Sequence, residues 1–328
     1  QAQRVEAMRR GEIPLADEDS FADFDLDMPG LRYHQIRTMA THNSYKKGLL
    51  PRQVSFASPL ISEDLMLSLR YEHDTPSNQF AAGIRGMELD VRYQLNGFRV
   101  YHGPIIDNGS SIPDWNLLLE ELRLWSLANP DHVPITILVE LKDEPMAANP
   151  LYRPMTPERF AAMDKSLRDI LGEDLLVTPA ELMGTHASLG AMREQQAWPL
   201  LSCLRGRFII VLHPHASYTG MYLSMDDSLQ TQAMVPGFFS SDARRYPDHA
   251  AFLVHNDPHP ATIRALVDAG YVVRTRMDAG IVYDPGRKAE ALASGAQLMT
   301  SDLAPPLLWP NMDYTAFLRD RYTMILVD

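Results

Sequence analysis

Short apolar runs alternate with longer amphipathic stretches from residue 35 almost to the end of the chain, and no other feature limits the fold as much. The runs at 35–41, 86–93, 98–102, 134–141, 207–213, 250–256, 270–276 and 296–302 read as buried strands. Between them, 60–71, 114–129, 156–171, 189–197, 260–269 and 286–294 read as helices. Helix-start signals open some of these, such as Ser111-Ile112-Pro113-Asp114 and Thr156-Pro157-Glu158, and Gly270 and Gly295 suit C-terminal caps. Eight strands alternating with helices predict an α/β fold, a (β/α)8 TIM barrel. Only Gln94-Leu95-Asn96-Gly97 separates the second run from the third, too short a link for a helix. The expectation is therefore an irregular barrel with one helix missing between strands 2 and 3. The 214–249 stretch, rich in Ser, Met and Asp, reads as a long loop or lid over the active face.

The 328 residues suit one barrel domain, 31–328, preceded by an acidic N-terminal arm, 1–30, that wraps the surface or is partly disordered. The net charge of −12 argues against a nucleic-acid binder, which needs a basic face, and fits a protein that holds a divalent cation. The single cysteine, Cys203, excludes an internal disulfide and a cysteine-based metal site. No window supplies the run of about twenty apolar residues that a membrane-spanning helix needs.

Chemistry in a parallel barrel sits where the strands end at their C-terminal sides, and the polar residues of this chain gather there. The first strand runs into Thr41-His42-Asn43-Ser44-Tyr45. The second carries Glu88 and Asp90, which share a face because they are two residues apart, the third ends in His102, and the fourth ends in Glu140-Leu141-Lys142. Carboxylates crowded into one pocket repel one another and need protons or a cation. Glu88, Asp90, Glu140 and the Asn43 amide oxygen form an all-oxygen set that suits Ca2+ first and Mg2+ second. Two histidines beside it divide general-base and general-acid duties, and Lys142 takes up developing negative charge, so phosphoryl transfer is the reaction that this set predicts. Each residue alone has a blander reading: a lone histidine at a strand end is more often structural, and Glu88 alone would suit an ion pair with Arg85 or Arg92. It is the convergence of several strand ends on one chemical theme that favours function.

These motifs, together with Gly83-Ile84-Arg85-Gly86-Met87-Glu88-Leu89-Asp90-Val91, Val100-Tyr101-His102-Gly103 and Ile137-Leu138-Val139-Glu140-Leu141-Lys142, resemble the catalytic half of the phosphoinositide-specific phospholipases C. The likeness is to the calcium-dependent bacterial type, and it extends over about residues 31–305 through Trp198-Pro199, Leu204-Arg205-Gly206, Arg274 to Ala279 and Thr300-Ser301-Asp302. The resemblance implies a calcium-dependent phosphodiesterase that converts phosphatidylinositol, or a related diester, to diacylglycerol and a cyclic inositol phosphate. It implies that His42 and His102 are catalytic and that Asn43, Glu88, Asp90 and Glu140 bind the metal. Lys142, Arg276 and Arg274 would hold phosphate, Lys142 also assisting catalysis. His102 is the candidate acid for the leaving glycerol oxygen, and His42 contacts the phosphoryl oxygen or takes the hydroxyl proton. It further implies a phospholipid or phosphodiester substrate met at a membrane surface, no obligate protein partner, and a secreted or periplasmic location with a leader removed. Two related families are the alternatives. Glycerophosphodiester phosphodiesterases read His-Arg-Gly where this chain has His42-Asn43-Ser44, and sphingomyelinase D-like enzymes carry Asp where it has Glu140. A barrel that binds a phosphorylated ligand without turning it over is the non-enzyme alternative, disfavoured by the intact histidines.

Overall fold

The computed structural model describes residues 1–95, 97–104, 106–143, 149–306 and 316–327. Its strands are β1 (Ile36–Thr41), β2 (Gly86–Gln94), β3 (Gly97–Val100), β4 (Ile135–Leu141), β5 (Leu176–Val177), β6 (Phe208–Leu212), β7 (Val235–Phe239), β8 (Phe252–Val254), β9 (Val272–Arg276), β10 (Leu298–Ser301) and β11 (Met324–Leu326). Eight of them, β1, β2, β4, β6, β7, β8, β9 and β10, pair in parallel and in sequence order, and β10 returns to β1 to close a (β/α)8 barrel. Closure between β1 and β2 is tight: a Cβ on Gly86 would lie 2.5 Å from the Ala40 Cβ, so the two backbones meet only because residue 86 has no side chain.

The barrel stands as expected, but two of its parts lie elsewhere than the apolar runs suggested. The 98–102 run supplies no stave. Its strand β3 folds back antiparallel on β2, with Val91 opposite Val100, so the short link is a hairpin turn; Asn96 in that link lies outside the described residues. The missing stave is β7, inside the stretch read as a loop. Val235-Pro236-Gly237-Phe238-Phe239 is only five residues long and carries both Pro and Gly, which hid it. The same stretch also forms a helix, Tyr218–Met225. The crossover that lacks an α-helix is the one from β7 to β8, where the described chain makes one 3-10 turn, Ala243–Arg245.

Most of the sequence-predicted helices form with small boundary shifts. The Asp114 carboxylate caps Trp115–Ala128 by accepting from the Leu117 N–H at 3.1 Å, and Thr156 does the same for Pro157–Ser166. Gly295 ends Pro285–Ser294 at φ 78°, a left-handed conformation that glycine adopts without strain. The 60–71 region breaks into shorter pieces, and helices Pro51–Ala57, Glu63–Ser68 and Pro76–Ala81 carry the chain from β1 to β2.

The first thirty residues are structured and lie against the barrel. Helix Ala2–Arg9 is pinned by Arg4, whose guanidinium reaches Glu121 at 2.6 Å. Farther along, Glu18 binds Arg85, a residue with no exposed side-chain surface, and accepts from the Val133 N–H at 2.7 Å. Arg85 also lies over the rings of Phe21 and Trp125. Strand β11 then pairs antiparallel with β1, and Ala22 bridges to Met324, so the later part of the arm meets the C-terminal strand.

Candidate active site

Thr41 ends β1, and the next residues turn sharply. Asn43 sits at φ 49°, a left-handed conformation that asparagine tolerates better than most residues, and the turn is stitched to β2 by Ser44. The Ser44 N–H donates to the Glu88 carbonyl and the Glu88 N–H donates to the Ser44 hydroxyl, each at 2.9 Å. His42 is thereby held at the rim while Glu88 points into the mouth.

The His42 Nδ1 lies 2.7 Å from Asp302, a buried carboxylate just beyond β10, and 3.2 Å from both the Tyr71 hydroxyl and the Arg276 guanidinium. Burial alone would raise the Asp302 carboxyl, but the hydrogen bond and charge of His42, with Arg276, hold it at about 2. With Nδ1 facing these groups, Nε2 is left toward the mouth, 3.9 Å from Glu88. His102 is arranged in the same way: its Nδ1 lies 2.8 Å from Asp107, another buried carboxylate. Each histidine thus has its orientation and tautomer set from behind by an acid.

The acidic cluster lies between them. Asp90 and Glu140 are register partners on β2 and β4 and so share a face, and Glu88 lies one pleat below Asp90. Burial pushes the Asp90 carboxyl up to about 6; Lys142 pulls it down and Glu140 pushes it further up. Neither Asp90 oxygen has a hydrogen-bond partner, although the residue is almost fully buried. Glu88 is held at about 2, because Arg274 and then His42 outweigh its burial. Oxygens of Glu88 and Glu140 and a ring nitrogen of His213 lie within 4.8 Å of one another. Burial lowers the His213 pKa, so the ring is neutral, and its Nδ1 faces the Pro214 carbonyl at 3.2 Å. A neutral ring that donates there has only a lone pair to offer the two carboxylates, an arrangement that a cation relieves.

Asn43 lies beside this cluster without being shown to converge on it. Its amide nitrogen donates to the Tyr71 hydroxyl at 2.7 Å, and its oxygen accepts from the Tyr45 hydroxyl at 3.1 Å, which leaves one lone pair. Lys142 reaches Glu140 at 2.5 Å and Asp90 at 3.5 Å, so it serves as counter-charge inside the cluster. The two arginines of β9 separate. Arg276 lies beside His42 and Asp302 at the mouth. Arg274 turns under the site onto Glu88 and Asn256, nearly without exposed surface, and so is not placed to hold phosphate as expected. Nor does Glu88 pair with Arg85 or Arg92: Arg85 belongs to Glu18, and Arg92 donates to the Tyr101 and His102 carbonyls.

The sequence reading missed Asp107, Asp302, Tyr71 and His213. Ser301-Asp302 stood out as a motif without a role, and His213 ends a strand as His102 follows one; Asp107 and Tyr71 lie in irregular segments with no periodic signal.

An eight-stranded barrel whose mouth holds two acid-buttressed histidines around a carboxylate pocket belongs to the metal-assisted phosphodiesterase class of TIM-barrel enzymes. The family model described as Ca2+-dependent phosphoinositide phospholipase C matches residues 31–96 and 92–324. This chain belongs to that family: it is a calcium-dependent enzyme that cleaves phosphoinositide phosphodiesters. In fold it is similar to the Ca2+-dependent phosphatidylinositol-specific phospholipase C of Streptomyces antibioticus, with 20% identity and a TM-score of 0.58 over 83% of this chain and 95% of that one. It is also similar to the calcium-dependent phosphoinositol-specific phospholipase C of a Pseudomonas species, with 17% identity and a TM-score of 0.60 over 94% of this chain and 99% of that one. No curated protein sequence matches it.

Proposed function

We propose that this enzyme cleaves phosphatidylinositol to diacylglycerol and a cyclic inositol phosphate, with His42 and His102 as its acid–base pair and the Glu88–Asp90–Glu140 pocket as its calcium site. The observation that carries the site assignment is the Asp90 carboxylate, buried among other acids with neither oxygen hydrogen-bonded and with only the Lys142 ammonium, 3.5 Å away and shared with Glu140, as counter-charge. Such a group is costly unless a cation completes it, and the oxygen-rich surroundings favour calcium. Glu88, Asp90 and Glu140 would hold the ion, with the remaining lone pair of Asn43 as a fourth oxygen. Calcium bound there supplies Lewis acidity, lowering the pKa of a coordinated hydroxyl and offsetting charge on phosphoryl oxygens.

The protein side of the reaction follows from the two dyads. His42 presents Nε2 beside Glu88, where it accepts the proton of the inositol 2-hydroxyl as that oxygen attacks phosphorus. Asp302 stabilises the imidazolium that forms. His102, held by Asp107 and partly open to the mouth, gives its proton to the glycerol oxygen that leaves. Arg276 faces the mouth beside His42 and binds the phosphoryl group, with Lys142 as a second cation.

We take residues 31–328 as the catalytic barrel and 1–30 as an arm on its surface, a division supported by the start of the family match at residue 31. The substrate is met at a lipid surface. Supporting this, Leu50, Phe56, Leu60 and Leu65 are exposed together in the segment that follows the His42 turn, and Val282 and Tyr283 are exposed in the segment after β9. Among the described residues no helix is long and apolar enough to cross a membrane, and a secreted or periplasmic location accords with an enzyme that works from outside on lipid.

The test is product analysis. Incubation with phosphatidylinositol and calcium should give diacylglycerol and a cyclic inositol phosphate seen by phosphorus NMR, and exhaustive chelation should abolish both. Release of free inositol with phosphate left on the lipid would instead indicate the sphingomyelinase D-like bond cleavage.

A further inference from the structure

Lys46 has no exposed side-chain surface, and its ammonium lies 2.6 and 2.5 Å from the two oxygens of Asp107. One of those oxygens also faces the His102 Nδ1 at 2.8 Å. Three ionisable groups therefore stand in a row, from a wholly buried lysine through a buried aspartate to a histidine at the mouth. Stability does not account for the buried end of this row. A buried ion pair contributes little net stability, and an apolar pair of the same volume does as well or better. Nor does the backbone need it, since the loop is already fixed by the Lys46 N–H on the Asn43 carbonyl and the Ser111 N–H on the Tyr45 carbonyl.

The two dyads differ at this point. Behind His42, Asp302 is shared with Arg276, which lies 3.4 Å away and is partly exposed, and with the Gly280 N–H at 2.9 Å. Behind His102, Asp107 is gripped on both oxygens by a cation that has no access to water. A carboxylate gripped in that way cannot rotate, and its charge is already balanced before it meets the imidazole. It gives the Nδ1 proton of His102 a fixed acceptor but a weakened anionic pull, the combination required of a histidine that must surrender a proton rather than retain it.

We propose that Lys46 is a positioning residue of the reaction: by clamping and neutralising Asp107, it orients His102 while keeping that histidine able to release its proton. The inference rests on the acid role given to His102 above. Among the described residues, the charged and titratable groups shown to face His102 are Asp107 on its own loop, Lys46 behind that carboxylate from the loop after β1, and Asp90 and Arg92 from β2, the last donating to the His102 carbonyl at 2.5 Å. Lys46 itself also lies over the Tyr71 ring, 5.1 Å from its centroid, and feels the charges of Asp302 and Asp90.

The experiment is nitrogen NMR of the histidine rings in the calcium-loaded full chain, comparing wild type with Lys46→Met and Lys46→Gln. The glutamine variant keeps a hydrogen bond to Asp107 and serves where methionine fails to fold. Loss of the cation leaves Asp107 a bare anion, so the His102 ring-nitrogen and Nδ1–H resonances should shift, with turnover on phosphatidylinositol falling about tenfold at little change in KM. The His42 resonances should stay in place. A His102 ring with wild-type resonances in a folded variant overturns the proposal. His102→Ala, assayed on diacylglycerol and on aryl leaving groups, tests the acid assignment separately. A variant that loses only aryl-independent rate supports that assignment, and equal loss on both substrates overturns it without touching the NMR result.

Discussion

The arm side of the barrel and its catalytic mouth both bury charge, and they treat it in opposite ways. Against the arm, Arg85 meets Glu18 and Arg4 meets Glu121, each cation given its own anion, with backbone N–H groups and aromatic faces completing the shell. At the mouth, Glu88, Asp90, Glu140, Asp107 and Asp302 crowd the ends of the strands, and the Asp90 carboxylate has no hydrogen bond and only Lys142, 3.5 Å away, as counter-charge. The first region is electrostatically closed. At the mouth the five acids outnumber the cations Arg274, Lys142, Lys46 and Arg276 by one, and under the proposed function that surplus is where a calcium ion binds. Paired charge can position a reacting group, but only the surplus calls for a ligand.

The largest effect expected from this contrast is on the closed side. Arg85→Met leaves Glu18 a buried anion without a cation and should cost about 3–5 kcal/mol in urea unfolding. Adding Glu18→Gln should restore much of that loss, and activity per folded molecule should match wild type throughout. A drop in turnover would mean that the two regions are coupled. On the open side the pattern reverses. His42→Ala and His102→Ala should each lower kcat at least about a hundredfold and leave the far-ultraviolet circular dichroism unchanged.

The unbalanced region also predicts a trade of activity for stability. Asp90→Asn keeps the shape and removes an unsatisfied buried charge, so in calcium-free buffer it should raise stability by on the order of 1–2 kcal/mol. The same variant should lose activity, and calcium should raise its melting temperature less than it raises that of wild type. Differential scanning fluorimetry with and without calcium reads both. If calcium stabilises the two proteins equally, Asp90 is not part of the cation site.

The same division explains what was legible in the sequence. Strand ends are legible because alternation fixes which side chains share a face. Alternation thus places Glu88 with Asp90, and Glu140 with Lys142, and the structure sets the Asp90 and Glu140 registers side by side. The histidines were legible from their position at strand ends. Their acids were not: Asp107 and Asp302 are brought in by loop paths that no periodicity encodes. Stave β7 was missed because five residues with an internal Pro-Gly carry too little pattern, while the apolar 98–102 run looked like a stave and is the return arm of a hairpin. Arg274 and Arg276 share a face by alternation, yet one turns beneath the floor and the other faces the mouth, a difference set by the partners each finds. The arm's acids read as solvated charge because the basic partners that bury Glu18 lie far along the chain.

The smallest effect expected is the pH signature of the closed region. Burial alone would raise the Glu18 carboxyl, but Arg85 outweighs it through charge and hydrogen bonds, and the Val133 N–H adds to the pull, so the folded-state value lies below the ordinary 4.5. A carboxyl depressed on folding adds stability that is fully present above its unfolded value. That stability is lost as pH falls through the folded one, because in that window the unfolded chain binds more protons. Wild type should therefore lose stability between neutral pH and pH values below about 4 more steeply than Glu18→Gln, in which this group no longer titrates. The two curves should converge toward the acid end, since protonated Glu18 and glutamine are both neutral beside Arg85. Urea midpoints measured across that range decide the matter. Parallel curves for the two proteins would mean that Glu18 carries no pH-linked stability, and that the arm is held by its apolar contacts rather than by its ion pair.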